Sequence, residues 1–265
     1  MPSSVPLDVR EFLEGYPDQG DKPSLNANLK FYALRSYCLP DKLRVDEIHS
    51  RWAGDYETLE YNHGFIQWLF PIREQGVNMY ASPLQPHEVE AMKADPDIIS
   101  RLIKSYELML DFYGMRLLSI ETGLLSRTEP TRIWTGRYRN LAIMRHNNLR
   151  ITRILKCLSE LGLEHLNAGF LLHVLNEQSE HGQLNAYSIV YSMDRWWANC
   201  IRNAEEREWI GQLIERVRHT QNFVFTREMY EEALKRRKET GTFNEPGGTG
   251  EDKVWPIYSF LSSVG

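Results

Sequence analysis

Cysteine is scarce in this sequence, and its three positions define neither a disulfide framework nor a zinc site. Cys38, Cys157 and Cys200 are odd in number and lie far apart in the chain, whereas both kinds of site need paired cysteines at short, regular spacings. We therefore expect reduced thiols, which are typical of a cytosolic or nuclear compartment.

Long apolar runs are also lacking. No stretch approaches the roughly 18 apolar residues of a membrane-spanning helix, and residues 1–15 lack the basic start and apolar run of a signal peptide. We expect a soluble protein without a transmembrane segment, so that any peripheral membrane association would need a partner or a lipid. The net charge of -5 over 265 residues argues against a protein that coats nucleic acid through its overall charge.

Strand-like alternation is rare, and helical periodicity takes its place. Residues 94–118 and 147–162 repeat apolar side chains at helical spacing. The second segment contains a stripe that we expect to face the core: Ile151, Ile154, Leu155 and Leu158. Asp46, Asp55 and Asp95 are predicted N-caps, with Pro96 at a first helical position. Gly162 and Gly241 are predicted helix ends, whereas Gly114 could either end its helix or be carried through it. The sequence predicts an all-α fold.

The predicted organisation is a single multi-helix globular domain with a short C-terminal extension. Residues 1–27 carry Pro, Ser, Gly and Asp and are predicted to be a loose leader. Residues 28–217 form the predicted helical domain. Residues 218–265 are predicted to hold a C-terminal helix and a flexible Gly-rich tail.

Known catalytic motifs are absent. The sequence has no Gly-x-Ser-x-Gly elbow and no His-Glu-x-x-His pair, and its glycines near residue 247 lack the Lys-Ser/Thr ending of a phosphate loop. We therefore predict a non-enzymatic binding module without cofactor or metal. Catalytic groups can converge from distant positions, so an uncharacterised enzyme stays open as an alternative.

Acidic residues are missing from residues 130–159, although the protein as a whole is acidic. Trp134 and Tyr138 lie among the basic residues, as aromatic platforms do in nucleic-acid-binding proteins. One interpretation is a groove for phosphate, nucleic acid or an acidic peptide, whose candidate residues are Arg137, Arg139, Arg145, Arg150 and Arg153. The favoured interpretation is an arginine-rich helical face paired with acidic helices such as residues 203–208.

The stretch EYNHGFIQWLFPIRE, residues 60–74, is densely aromatic. On a single helix, its apolar side chains would fill a wide arc that includes Tyr61, while Glu60, His63 and Gln67 would share a narrow polar arc. This pattern predicts a central helix packed on several sides, ended by Pro71. Asn62 is predicted to cap it, which places the helix at about residues 63–70.

Two further interpretations of this stretch stay open. His63 and Gln67, one turn apart, are either ligand contacts flanked by Trp68 or ordinary hydrogen-bonding groups. His49 could approach His63 across a helical hairpin, but no ligand spacing supports a metal there.

Four segments resemble the conserved region of the opioid growth factor receptor family. They are NLKFY (28–32), IHSRWAGDYETLEYNHGFIQWLFPIRE (48–74), SYELMLDFYGMRL (105–117) and HNNLRITRILKCLSELGLEH (146–165). The resemblance covers about residues 28–210, and we see no match beyond residue 210.

The resemblance implies a receptor for Met-enkephalin that restrains proliferation. It also implies a cytoplasmic or nuclear location, including the nuclear envelope. Its motif supplies the ligand-binding candidates, which are Tyr61, Asn62, His63, Gln67, Trp68 and Arg73. The expected partner is therefore a peptide or protein, with nucleic acid as the alternative.

Overall fold

The computed structural model describes residues 5–244, in which helices supply nearly all regular structure. The helices are α1 Leu7–Leu13, α2 Ala27–Tyr32, α3 Val45–Arg51, α4 Tyr56–Tyr61, α5 Ile66–Leu69, α6 Pro86–Ala94, α7 Pro96–Phe112, α8 Thr131–Ile143, α9 His146–Glu160, α10 Glu164–Ser179, α11 Tyr187–Arg195, α12 Ala204–His219 and α13 Arg227–Thr240. A 3₁₀ turn, Trp197–Asn199, follows α11. The prediction of a single, all-α domain is confirmed.

The sequence did not predict one small sheet. Strands β1 (Met115–Leu117) and β2 (Leu125–Arg127) pair antiparallel, with Arg116 opposite Ser126. Gly114 ends α7 with a positive φ of 84°, which lets the chain turn directly into β1. Of the two roles that the sequence left open for Gly114, the structure shows the helix end.

The core is centred on α7, α9 and α10. The predicted stripe of α9 is buried, from Ile151 to Leu158, and α10 is enclosed on nearly all sides. Asp55 and Asp95 accept backbone hydrogen bonds at the starts of α4 and α7, as predicted. Asp46 is different, because α3 begins at Val45 and Asp46 lies inside its first turn.

One buried carboxylate joins two helix starts. Glu88 in α6 accepts from the backbone N–H groups of Asn28 (2.9 Å), Leu29 (3.0 Å) and Gln85 (3.0 Å), and from the Asn28 side-chain amide (2.9 Å). The backbone N–H groups at a helix start have no partner within the helix. Glu88 therefore holds the first turns of α2 and α6 together.

The predicted loose leader is packed on the domain over the part of it that the structure describes. Phe12 of α1 and Tyr16 are buried, and the backbone carbonyl of Phe12 accepts from Arg202. Apolar side chains at positions 9, 12 and 16 give this short segment a face that the core can cover. The composition of residues 1–27 suggested a loop because the intervening residues are polar.

The C-terminal helix is also part of the domain. Tyr230 of α13 is fully buried; its hydroxyl donates to the backbone carbonyl of Gly169 and accepts from the backbone N–H of Leu125. The predicted domain end at residue 217 falls inside α12. Gly241 closes α13 in the left-handed conformation, as predicted. The predicted Gly-rich tail lies outside the described residues from position 245 onward.

Candidate functional site

The aromatic stretch 60–74 is not one helix. Asn62 ends α4, its Oδ1 accepts from the backbone N–H of Gly64 (2.9 Å), and its Nδ2 donates to Asp41 (2.7 Å). The predicted helix 63–70 is therefore wrong: Asn62 stabilises a turn, and α5 forms only at Ile66–Leu69. The prediction that the chain leaves the helix before Pro71 is confirmed.

Breaking the helix reverses the predicted exposure of several side chains. Tyr61, expected in the apolar arc, is 69% exposed, whereas Glu60 and Gln67, expected on the polar arc, are 5% and 3% exposed. The interpretation of the aromatic residues as core is confirmed from Phe65 to Phe70.

Trp68 belongs to this core. It is 4% exposed, its ring lies 5.4 Å from that of Phe31, and its indole N–H donates to the backbone carbonyl of Leu39. The Gln67 amide oxygen accepts from the backbone N–H of Asn78 (3.1 Å) and lies against Gly76, where a methyl group would collide with it. Both residues therefore hold the fold around the candidate site.

Arg150 of α9 completes the end of α4. Its guanidinium donates to the backbone carbonyls of Leu59 (2.8 Å), Glu60 (3.2 Å) and Asn62 (2.9 Å), and contacts His63 Nδ1 (3.0 Å). The last carbonyls of a helix lack partners within it and carry partial negative charge. Arg150 satisfies these carbonyls from a neighbouring helix.

A polar cluster lies beside this contact. Glu60 Oε1 is 2.7 Å from His146 Nε2, Glu60 Oε2 accepts from Asn140 (2.5 Å), and Arg137 is 3.8 Å away. The rings of His63 and His146 meet edge to face at 5.2 Å. Burial, reinforced by the charge of Arg150, lowers the pKa of His63. A neutral His63 can accept from Arg150 through Nδ1.

The other basic candidates divide into inward-facing and exposed residues. Arg137 donates to the carbonyl of Phe112 (2.7 Å), and Arg153 donates to that of Phe70 (2.8 Å). Burial lowers the pKa of Arg153 to about 10. Arg139 and Arg145 are exposed. The inward-facing arginines thus bond to backbone carbonyls, and Arg137 also lies 3.8 Å from Glu60. The predicted pairing with residues 203–208 does not account for these contacts.

Two members of each set of predicted site residues meet in one cleft of about 380 Å³, which we call the α5–α9 cleft. His63, Gln67, Arg150 and Arg153 line it. Val77 and Leu149 at its mouth are 90% and 73% exposed. Of the other candidates, Tyr61 and Arg73 are not among its lining residues, and Arg73 instead donates to the carbonyls of Gly15 and Gln19.

A second depression, the α9–α11 groove, adjoins this cleft and measures about 280 Å³. Leu149, Thr152 and Trp196 line both depressions. In the groove, the rings of Tyr187 and Tyr191 stack at 5.7 Å, and Tyr187 is 80% exposed. The groove therefore presents aromatic and aliphatic surface.

The N-terminal segment and a buried lysine close one end of the cleft. Lys156, 1% exposed, donates to Asp8 (2.9 Å) and Glu74 (2.6 Å). Burial alone would lower the pKa of Lys156, but the two carboxylates outweigh burial and raise it. Asp8, from the segment expected to be loose, thus forms part of the site.

The sequence interpretation missed the groove residues. Leu149 lies in α9 but outside the predicted core stripe. An isolated apolar residue on a polar helix face is a sequence signal that could have indicated the groove. Of the adjacent Trp196 and Trp197, only Trp197 is fully buried, since Trp196 lines the groove. Helical periodicity alone does not distinguish a groove from a core.

The possible metal site at His49 does not form. His49 Nε2 bonds to Ser105 Oγ (2.8 Å), and burial lowers the pKa of His49 to about 4. His63 pairs with His146 instead. Within residues 5–244, no group of three His, Cys, Asp or Glu side chains is arranged to hold a metal ion. The three cysteines are free thiols buried in the core.

Comparison with known proteins places the chain in a family. The model of the opioid growth factor receptor conserved region matches residues 21–232. The chain therefore belongs to the opioid growth factor receptor family. The match continues past residue 210, where we expected it to stop, and includes the first part of α13.

Two relatives show the extent of the similarity. The human opioid growth factor receptor is 44% identical over 176 residues, which are 64% of this chain and 25% of that protein. The mouse opioid growth factor receptor-like protein 1 is 35% identical over 221 residues, which are 82% of this chain and 46% of that protein. The chain thus spans about a quarter to a half of its relatives' length. No solved structure matches it.

Within residues 5–244, every helix is too short or too polar to cross a bilayer.

Proposed function

We propose that this chain is a non-enzymatic receptor domain that binds a short peptide across the α5–α9 cleft and the α9–α11 groove. The observation that carries the proposal is the convergence of exposed Leu149, Tyr187 and Tyr191 on one depression. Most ligand sites are concave and largely apolar, with a few polar groups that fix orientation. His63 and Arg145 are such groups at this site.

The charge of the site favours a ligand with a carboxylate. Arg145, Arg150, Arg153 and Lys156 line the two depressions, against the carboxylates of Asp8 and Glu74. Arg145 is exposed and lies beside the aromatic groove, so it is placed to meet a free carboxylate. Met-enkephalin, the ligand implied by the family, combines aromatic side chains with a terminal carboxylate and fits this chemistry.

Calorimetric titration with Met-enkephalin, using a scrambled peptide as control, tests the proposal. We expect saturable binding that weakens at least about tenfold in Leu149→Ser, which removes apolar contact area at the junction of the two depressions. Leu118→Ser is the matched control, because Leu118 is 48% exposed and lies outside both depressions. Absence of binding, or equal loss in both variants, would contradict the proposal.

The biological role follows the same proposal. We propose negative regulation of growth in the cytoplasm or nucleus, including the nuclear envelope. Imaging of the tagged full chain, with proliferation measured on expression of wild type and Leu149→Ser, tests both statements. If wild type and Leu149→Ser changed proliferation equally, growth control would not depend on the groove, which would contradict this part of the proposal.

A nucleic-acid or phosphate ligand is the second candidate. The observation that favours it is the exposed Arg145 in the same groove as the exposed ring of Tyr187, on which a base could stack. Binding through phosphates weakens steeply with salt. Titration with single-stranded RNA at low and physiological salt therefore distinguishes this ligand from a peptide held by apolar contacts.

A further inference from the structure

The sequence beyond the described residues contains a segment that matches the chemistry of the α9–α11 groove. Residues 254–261 read VWPIYSFL, in which Ser259 is the one polar side chain. Glu251 and Asp252 come shortly before it. The aromatic and aliphatic side chains of this segment could contact an apolar groove. The two nearby carboxylates could pair with basic residues at the border of such a groove.

The groove is complementary in charge as well as in polarity. Arg145 lines it, no Asp or Glu is among its lining residues, and Arg195 lies over the rings of Tyr191 (5.8 Å) and Trp196 (5.5 Å). Opposite charges at the border of an apolar contact favour one register of the bound segment.

The chain is long enough to bring the two together. Phe243, one residue before the end of the described part, stacks on Trp209 of α12 at 4.6 Å. Helix α12 packs on the 3₁₀ turn 197–199, directly after Trp196. Packed elements lie about 8–10 Å apart, so two such steps cover about 20 Å. The nine residues 245–253 can span up to about 30 Å when extended.

We propose that residues 254–261 of this chain bind in its own α9–α11 groove and compete there with any external ligand. Trp255, Tyr258 and Phe260 supply the side chains that cover Leu149 and Tyr187, while Glu251 and Asp252 lie near Arg145. The proposal stands independently of the peptide ligand proposed above, because it concerns only this chain.

The linker makes even a weak contact effective. Covalent attachment through a short stretch of chain gives effective concentrations on the order of 1 mM, so an intrinsic Kd of about 100 μM would keep the segment bound about ten times more often than free. An external ligand would then bind about tenfold more weakly than to an open groove.

Limited trypsin digestion of the full chain tests the contact. Trypsin cleaves after Lys253, and cleavage of a transiently released segment follows the population that is released. We expect release of residues 254–265 to be about tenfold faster in Leu149→Asp than in wild type. In the matched control Leu118→Asp we expect the wild-type rate. Equal rates in all three proteins overturn the proposal.

A second measurement leaves residues 5–244 unsubstituted. Hydrogen exchange of residues 145–152 and 187–196 is compared between the full wild-type chain and the Trp255→Ser/Phe260→Ser variant. We expect faster exchange in the variant at these residues and unchanged exchange in α7. Identical exchange overturns the proposal. Protection of these residues from exchange could instead rise with protein concentration, with dimers seen in sedimentation. That result would show that a second copy of the chain occupies the groove, and it would overturn binding within one chain.

Discussion

At the residue scale, the arginines of the acid-free stretch, residues 130–159, have two different roles. Some stabilise the fold, and others are exposed at the surface. Arg150 is 5% exposed and bonds to three backbone carbonyls, whereas Arg145, five residues earlier, is exposed at the groove. Their sequence surroundings are nearly alike. The difference arises because the end of α4 presents unpaired carbonyls within reach of Arg150 alone, which no sequence pattern encodes.

This division predicts opposite effects of two similar substitutions. Arg150→Met leaves the carbonyls of Leu59 and Asn62 unpaired in a buried place, and we expect it to lower the free energy of unfolding by about 3–5 kcal/mol. Arg145→Met should change stability by less than about 0.5 kcal/mol. Urea denaturation of both variants measures the difference. Equal stability of the two would show that Arg150 does not support the end of α4.

At the element scale, the long helices followed their periodicity and the short ones did not. α7 and α9 have apolar stripes, and α7 has a capping aspartate as well, so sequence alone located them. The helix predicted at residues 63–70 is shortened to α5, Ile66–Leu69, because residues 62–65 form a turn. The Asn62 side chain competes for backbone groups there, and Arg150 satisfies the carbonyls that the break leaves.

The joint start of α2 and α6 gives a prediction at this scale. Glu88→Gln replaces a carboxylate that accepts four hydrogen bonds by an amide whose NH₂ group faces other donors. We expect a loss of about 2–4 kcal/mol in the free energy of unfolding. Hydrogen exchange should also rise first in α2.

Glu90→Gln is the matched control for this substitution. It changes the same residue type in the same helix, but the Glu90 side chain is 78% exposed. If thermal unfolding places both variants at the wild-type midpoint, Glu88 does not join the two helices.

At the scale of the whole molecule, sequence reasoning found the fold class and part of the site. It identified an all-α domain and two sets of residues, of which His63, Gln67, Arg150 and Arg153 line one cleft. It missed that the two sets meet, because residues 63–67 and 150–153 are about ninety positions apart. It also missed α1, since a short amphipathic helix within a polar leader has too few apolar residues to stand out.

Stability should fall as pH falls from about 6.5 to 4. Burial lowers the pKa of His49 to about 4 and that of His173 to about 3. Both histidines are near 6.5 in the unfolded chain. The unfolded state therefore binds more protons than the folded state in this pH window. For each of these two histidines, the free energy of unfolding falls by up to about 1.4 kcal/mol for every unit by which the pH is lowered.

Denaturant titrations at several pH values check this expectation. His49→Gln should reduce the slope between pH 6.5 and 4, because glutamine can keep the bond to Ser105 without titrating. His219→Gln should keep the wild-type slope, since His219 is 74% exposed. An unchanged slope in His49→Gln would mean that His49 becomes protonated in the folded protein.

Arg150 and Gln67 form the floor of the cleft and at the same time hold the chain together around it. Substitution of these two residues is therefore limited by stability, whereas Val77 and Leu149 at the mouth of the cleft, and Arg145 and Tyr187 in the adjoining groove, are exposed and can change without that cost. Under the proposed function, members of the family can differ in ligand while their folds stay alike. The shared family then implies a shared structure around Arg150 and Gln67, and the exposed residues of the two depressions determine which ligand each member binds.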